Sequence, residues 1–235
     1  MYPRIGAALA PLLVLLAGCD LPAPSTLQSS ELRGVWIAFT LPAIAVYAIV
    51  GGLIVWSSVA YRRRDPAIVQ AARFHENPPL EIAWTVIPIL IVGGLFAITY
   101  PAEHHVENLV VSPDEVVQVV GFRWSWRFLY PRRHVAIDAK EGEPPELVLP
   151  AGRTTEIRLT SSDVVHAFWV PAFLFKRDAV PGRVNAFDLS PTKTGSYPGR
   201  CAEYCGTFHA HMSFNVRVVA PDAFERWLAE RKSSS

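Results

Sequence analysis

Apolar and polar positions change period once along this chain, and the change divides it. Val35 to Tyr61 is an apolar run almost without charge, and Ile82 to Tyr100 is a second. At about 1.5 Å of rise per residue, each is long enough for a helix crossing roughly 30 Å of hydrocarbon. From Pro101 onward the pattern alternates. Thr155, Ile157 and Leu159 alternate with Glu156 and Arg158, and Phe214, Val216 and Val218 alternate with Ser213, Asn215 and Arg217. Period two is the mark of half-buried strands. Glu115–Gly121, Leu147–Leu149 and Val184–Leu189 are further strand candidates. Ser112-Pro113-Asp114, Pro144-Pro145, Pro150-Ala151-Gly152 and Pro181-Gly182-Arg183 supply turns between them. Several short strands of this kind predict an all-β sandwich of Greek-key type. The tail from Pro221 to Arg231 predicts a short helix, with Phe224, Trp227 and Leu228 on one face and Asp222 as its cap.

Arginine positions orient the helices. Arg62, Arg63, Arg64 and Arg73 all fall in the loop between the two apolar runs. The excess of basic residues places that loop in the cytoplasm and both chain ends outside. Trp36 and Trp56 lie near the ends of the first span, where aromatic rings suit the membrane interface. Pro42 and Pro88 are tolerated in a membrane helix, and the pairs Gly51-Gly52 and Gly93-Gly94 permit close packing against other helices. The N-terminus agrees with this topology. Arg4 precedes a short apolar stretch, Ile5 to Ala17, which ends in Leu16-Ala17-Gly18-Cys19. This resembles a bacterial lipoprotein signal (residues 1–18), cleaved before Cys19 so that Cys19 becomes N-terminal and lipidated. Residues 19–33 read as a tether outside the membrane, 34–100 as a helical hairpin, and 101–235 as the extramembrane domain.

Composition adds limits. The chain of 235 residues is 51% hydrophobic and 18% charged, as expected of a membrane segment joined to one water-soluble domain. A net charge of +1 gives no footprint for nucleic acid. Three cysteines exclude a disulfide-built scaffold.

The candidate chemistry lies in Cys201-Ala202-Glu203-Tyr204-Cys205-Gly206-Thr207-Phe208-His209-Ala210-His211-Met212, with His166 earlier, after a predicted strand. Sulfur and imidazole donors together select copper or zinc over hard cations. Two thiolates can bridge two metals, so the donor count suits a binuclear copper centre. A Cys201–Cys205 disulfide leaves His166, His209 and Met212 unexplained. A structural zinc site does not call for Met212. A thioredoxin-like copper chaperone carries Cys-x3-Cys early in its domain, whereas here the pair comes late.

These motifs resemble subunit II of cytochrome c oxidases over roughly residues 30–230. The resemblance rests on Gly195-Ser196-Tyr197, Cys201-x-Glu203-x-Cys205-Gly206-x-x-His209-x-x-Met212, Asp163-Val164-x-His166-x-Phe168-x-x-Pro171 and Asp178-Ala179-x-Pro181-Gly182-Arg183. It implies a cupredoxin-like domain with two copper ions. Cys201 and Cys205 would bridge them, His166 and His209 would be terminal ligands, and Met212 and the Glu203 carbonyl would be weak ligands. It implies magnesium on the Glu203 side chain, shared with subunit I. His211 has no counterpart among the ligands and reads as a surface residue. Trp124, in Gly121-Phe122-Arg123-Trp124-Ser125-Trp126, matches the residue through which electrons enter from a c-type cytochrome. Glu81, before Trp84-Thr85 on the second span, matches the entrance of a proton channel. Implied partners are subunits I and III and the cytochrome donor, in the inner membrane of a bacterium. The segment departs from the family in Phe122-Arg123 and Ser125, and Arg127 to Arg133 is basic where the family often carries acids for docking. A CuA-type nitric oxide reductase subunit is the alternative with the same chemistry. A quinol oxidase subunit lacks the metal donors.

Overall fold

A computed structural model describes residues 21–62, 76–139 and 143–233. The described residues form two compact units. Gly34–His105 is helical, and Val106 onward forms a β-domain that also includes the stretch up to Arg33.

Two helices carry the apolar runs: α1 (Leu27–Ala60) and α2 (Pro78–Glu107). Both outrun the predicted spans, because the capped ends continue the helix into polar sequence. Asn77 accepts from the Leu80 N–H through Oδ1 at 3.3 Å, and Glu81 Oε1 accepts from the Asn77 N–H at 3.1 Å. Helix-opening donors are satisfied in this way. Pro42, Pro88 and Pro101 all lie inside helices. Leu41, Tyr47, Ile54, Leu90, Val92 and Phe96 stand exposed on them, a condition that suits lipid and not water. Arg62 is the only described member of the basic loop set, since Arg63, Arg64 and Arg73 lie outside the described residues.

The β-domain contains ten strands among the described residues: β1 (Glu115–Phe122), β2 (Ser125–Tyr130), β3 (Val135–Ile137), β4 (Glu146–Pro150), β5 (Thr155–Ser161), β6 (His166–Val170), β7 (Phe175–Ala179), β8 (Asn185–Leu189), β9 (Gly195–Cys201) and β10 (Ser213–Val219). One sheet runs β3-β2-β1-β5-β8 and the other β4-β10-β9-β6-β7. Helix α3 (Pro221–Ser233) closes one end. Val117, Val119, Trp126 and Phe128 from the first sheet meet Phe168, Phe214 and Val216 from the second, all buried. Phe214 stacks on Phe168 at 4.7 Å between ring centroids. It also lies over Gly199, where an added Cβ would stand 2.3 Å from the Phe214 ring. The glycine therefore makes room for the central aromatic of the core.

Strands β1, β4, β5 and β10 extend the runs expected from alternation, and β8 matches its expected run less Val184. Strands β2, β3, β6, β7 and β9 were not foreseen. β6 reads His166-Ala167-Phe168-Trp169-Val170 and is buried on both faces, so it shows no alternation. His166 follows β5, as expected, and also opens this strand. Asp222 lies within the first turn of α3 and does not precede it. It pairs with Arg226 at 2.8 Å, because Pro221 already occupies the opening position.

The tether expected over 19–33 meets a different arrangement from residue 21 on. Thr26 bridges Pro191, the Leu27 N–H donates to Ser190 O at 3.0 Å, and the Thr192 N–H donates to Ser25 O at 2.8 Å. Thr26 and Ser29 each accept the other's backbone N–H through their hydroxyls at 3.0 Å. Ser25, Thr26 and Ser29 are buried. Small hydroxyl side chains that look like linker are here helix caps and strand partners. Cys19 and residues 1–20 lie outside the described residues.

Phe214→Ala is expected to destabilise the β-domain by about 3–5 kcal/mol, measured by denaturant unfolding followed through tryptophan fluorescence.

Candidate metal centre

The loop between β9 and β10 gathers the donors. Its ends are tied by the Cys201 N–H donating to Met212 O at 2.9 Å. Its start is drawn to β6 by the Ala202 N–H donating to Ala167 O at 3.1 Å. The Met212 N–H donates to His209 O at 3.2 Å and shapes the last turn. Gly206 has φ of +116°, which a glycine adopts without the strain of a side chain.

The donors then stand in a row in space, although 35 residues separate His166 from Cys201. His166 Nδ1 lies 3.9 Å from Cys201 Sγ. Cys201 Sγ lies 4.0 Å from Cys205 Sγ. Cys205 Sγ lies 3.6 Å from His209 Nδ1 and 3.8 Å from Met212 Sδ. The Glu203 carbonyl lies 3.2 Å from Cys201 Sγ. The ligating atoms of His166, Cys201 and Cys205 all lie within 4.8 Å of one another. His166, Cys201, Cys205 and Met212 are buried, and His209 is partly exposed.

The sulfurs are unbonded at about twice the S–S bond length of ~2.05 Å, so no disulfide joins them here. Two donors bound to one metal at ~2.0–2.3 Å lie no more than ~4.6 Å apart, so every neighbouring pair in this chain of donors is close enough to share one metal. With the imidazoles flanking opposite sulfurs, the set fits a pair of metals bridged by thiolates. Sulfur, imidazole and thioether are the donors that soft copper prefers.

The surroundings of the sulfurs oppose negative charge on them. Burial, then the neighbouring Cys201, push the Cys205 thiol up to about 11. A cation must therefore displace the proton for both sulfurs to ligate. Asp163 acts in the opposite sense. Burial disfavours its charge, but hydrogen bonds from the His166 ring and from the Arg123 and Val164 N–H groups outweigh that, holding the carboxyl well below its usual range. Its Oδ1 lies 2.8 Å from His166 Nε2. That contact fixes the ring and leaves Nδ1 facing Cys201, the usual way a carboxylate orients a ligating imidazole. In the sequence Asp163 stands within a motif without an evident role. Its spacing three residues before His166 was the available signal. Gly121 was likewise given no role. An added Cβ there would stand 3.1 Å from His166 Cδ2 and 3.2 Å from Trp126 Cζ3. A side chain there would push the ligand ring or Trp126 aside by a few tenths of an ångström.

The other singled-out residues divide into two groups. Trp124 joins the centre: its indole Nε1–H donates to Cys205 O at 3.3 Å, and its ring meets Phe208 edge-on at 4.9 Å. The Glu203 side chain points away from the sulfurs, 45% exposed, with Oε2 3.6 Å from Lys176 Nζ. His211 is exposed and faces Phe208, as a surface residue should. Glu81 belongs to the helical unit, exposed in the first turn of α2.

Comparison with known proteins gives a consistent result. Residues 115–219 match the family description "Cytochrome C oxidase subunit II, periplasmic domain", and residues 17–102 match "Cytochrome C oxidase subunit II, transmembrane domain". Cytochrome c oxidase subunit 2 of Mycobacterium tuberculosis is 32% identical over 97% of this chain and 81% of its own length. The probable cytochrome c oxidase subunit 2 of Streptomyces coelicolor is 34% identical over 89% of this chain and 78% of its own. Among solved structures, the periplasmic domain of cytochrome oxidase subunit II from Bradyrhizobium japonicum is 32% identical, covering 54% of this chain and 99% of its own, with a TM-score of 0.49.

Asp163→Asn is expected to weaken metal binding by about 10- to 100-fold, read by competition with a chelator. Because the folded-state value of Asp163 is depressed, its contribution to stability is present above about pH 4 and fades as pH falls toward that depressed value. Acid unfolding of the metal-free protein and of the Asn variant should therefore converge at low pH.

Proposed function

This chain belongs to the cytochrome c oxidase subunit II family, and from that premise we propose that it relays single electrons from a c-type cytochrome to haem in subunit I through a binuclear copper centre. Membership makes it a redox subunit of a haem–copper terminal oxidase and implies copper at the described cluster. The comparisons give no support to the nitric oxide reductase alternative. The observation that carries the reading is the ordered run of donors, with imidazole, sulfur, sulfur and imidazole at successive separations of 3.9, 4.0 and 3.6 Å.

In this reading Cys201, Cys205, His166 and His209 would hold the two coppers, with Met212 and the Glu203 carbonyl as weaker donors. Bound copper would supply a one-electron store. The chain's own residues do the rest. Asp163 holds His166 in place, and the buried aromatic core behind it limits movement and excludes water, so little reorganisation accompanies transfer. Oxygen is reduced to water in subunit I, with coupled proton movement, and this chain contributes only the electron step.

Trp124 is the residue through which electrons enter. Its indole is bonded to the carbonyl of a bridging cysteine and partly open to solvent, so a short covalent and hydrogen-bonded path leads from the surface to sulfur. Glu203, whose carboxylate is half exposed beside Lys176, offers an oxygen to magnesium shared with subunit I. Glu81 admits protons at the cytoplasmic end of α2. Its exposure there supports that role, while its bond to the Asn77 N–H also gives it a structural one. Among the described residues, two helices are long and apolar enough to cross a membrane. The arginine bias places the β-domain outside the inner membrane of a bacterium, with subunits I and III beside the helices and Cys19 lipidated after signal cleavage.

Metal analysis of the purified oxidase, with electron paramagnetic resonance of this centre, is expected to find two coppers sharing one unpaired electron, and Cys201→Ser should abolish that signal. One zinc, or a mononuclear copper spectrum in the unaltered protein, would overturn the assignment. Trp124→Phe should lower the second-order rate of reduction by the cytochrome by about tenfold or more and leave the copper spectrum intact. Glu81→Gln should slow steady-state turnover without touching either property. The mass of the mature N-terminal peptide reports the state of Cys19.

A further inference from the structure

Resting on the reading that electrons enter at Trp124, we propose that the donor docks on an apolar, charge-neutral platform formed by Trp124 and Phe208, and is a c-type cytochrome whose haem-edge face is itself apolar and without net charge. Phe208 is 52% exposed, although it lies one residue from a proposed copper ligand. Its ring meets Trp124 edge-on at 4.9 Å and His211 at 6.3 Å. A large exposed aromatic beside a redox centre, continuous with a second ring that touches the centre's backbone, is the kind of patch that marks an interaction surface.

The neighbouring charges decide the partner. Arg123, beside Trp124 in the chain, pairs with Asp163: its Nε lies 3.3 Å from Oδ2, and its backbone N–H donates to the same oxygen at 2.7 Å. Asp163 is in turn bonded to His166, so this carboxylate is directed inward. Arg127, in the strand that leaves Trp124, pairs with Asp138. Further along, Arg133 is divided between Glu115 at 2.8 Å and Glu225 at 3.0 Å. Within the basic run from Arg127 to Arg133, Arg127 and Arg133 are thus neutralised within the chain, while Arg132 donates to Pro113 O at 2.9 Å. Exposed pairs of this kind add little stability, yet they cancel the local field. A lysine-rich donor meets no uncompensated carboxylate at Arg123 or Arg127, and an acidic donor meets no uncompensated guanidinium there. At the platform itself Phe208 is 52% exposed and Trp124 partly exposed, so aromatic surface is presented there. The step itself balances simply: the ferrous haem of the donor loses one electron, the centre gains it, and no bond or proton moves.

Stopped-flow reduction of the whole purified oxidase tests this with two probes, a lysine-rich soluble c-type cytochrome and a c-type cytochrome with an uncharged haem-edge face. Across roughly 20 to 300 mM salt, where screening of surface charge changes several-fold, the rate with the uncharged probe is expected to vary by less than about twofold. The lysine-rich probe should gain no advantage at low salt. Titration calorimetry with the oxidised uncharged probe should give a negative heat-capacity change, the mark of apolar burial. Phe208→Ser should lower its second-order rate about tenfold, Phe208→Leu should recover most of it, and the copper spectrum should be unchanged in both. A rate with the lysine-rich probe that climbs steeply as salt falls, or a Phe208→Ser rate equal to the unaltered one, would overturn the proposal while leaving electron entrance at Trp124 intact. A centre that a small chemical reductant reduces but neither cytochrome does would overturn the parent reading as well.

Discussion

One backbone hydrogen bond underlies the metal centre: the Cys201 N–H to the Met212 carbonyl. It closes the loop between β9 and β10, so that two thiols and a thioether, spread over twelve residues, share one pocket. Their burial would be unfavourable for thiolates alone. Burial and mutual repulsion hold the Cys205 proton on, and only a cation with an affinity for sulfur reverses that preference. The loop thus presents a site that is complete in geometry and incomplete in charge.

Rigidity comes from behind the site. His166 opens a strand buried on both faces. Gly121 lets the opposing sheet approach it closely, and Trp126 packs edge-on at 6.1 Å. Asp163 fixes the remaining freedom of the ring. A centre that changes oxidation state without moving needs this support, since any relaxation of the ligands would add to the reorganisation accompanying each transfer. Phe214, Phe168 and Gly199 continue the same core, so packing defects there reach the ligands through a few contacts.

Surface charge is handled by a different rule from burial. The arginines near Trp124 read from sequence as a basic face, and in the structure several are paired with Asp163, Asp138, Glu115 and Glu225. Net surface character is set by which residues the fold brings opposite one another, and those partners lie up to 92 positions away. The same distance effect converts Ser25, Thr26 and Ser29 from linker composition into caps and strand partners against Ser190 and Pro191.

Sequence alone determined the two helices, the strands with clear alternation, and the donor set. Hydropathy length, period-two patterning and the chemistry of Cys201, Cys205, His166, His209 and Met212 are local properties that need no partner to be read. Strands such as β6 and β9 were hidden because a strand buried on both faces, or one that must carry Gly199 and Cys201 for its neighbours' sake, loses the alternation that announces it. The separations between the ligands, the support of His166 by Asp163 and Gly121, and the pairing of Arg123 and Arg127 near Trp124 were decided only by the tertiary structure. Each depends on contacts between residues remote in sequence, and a period or a spacing along the chain carries no record of them.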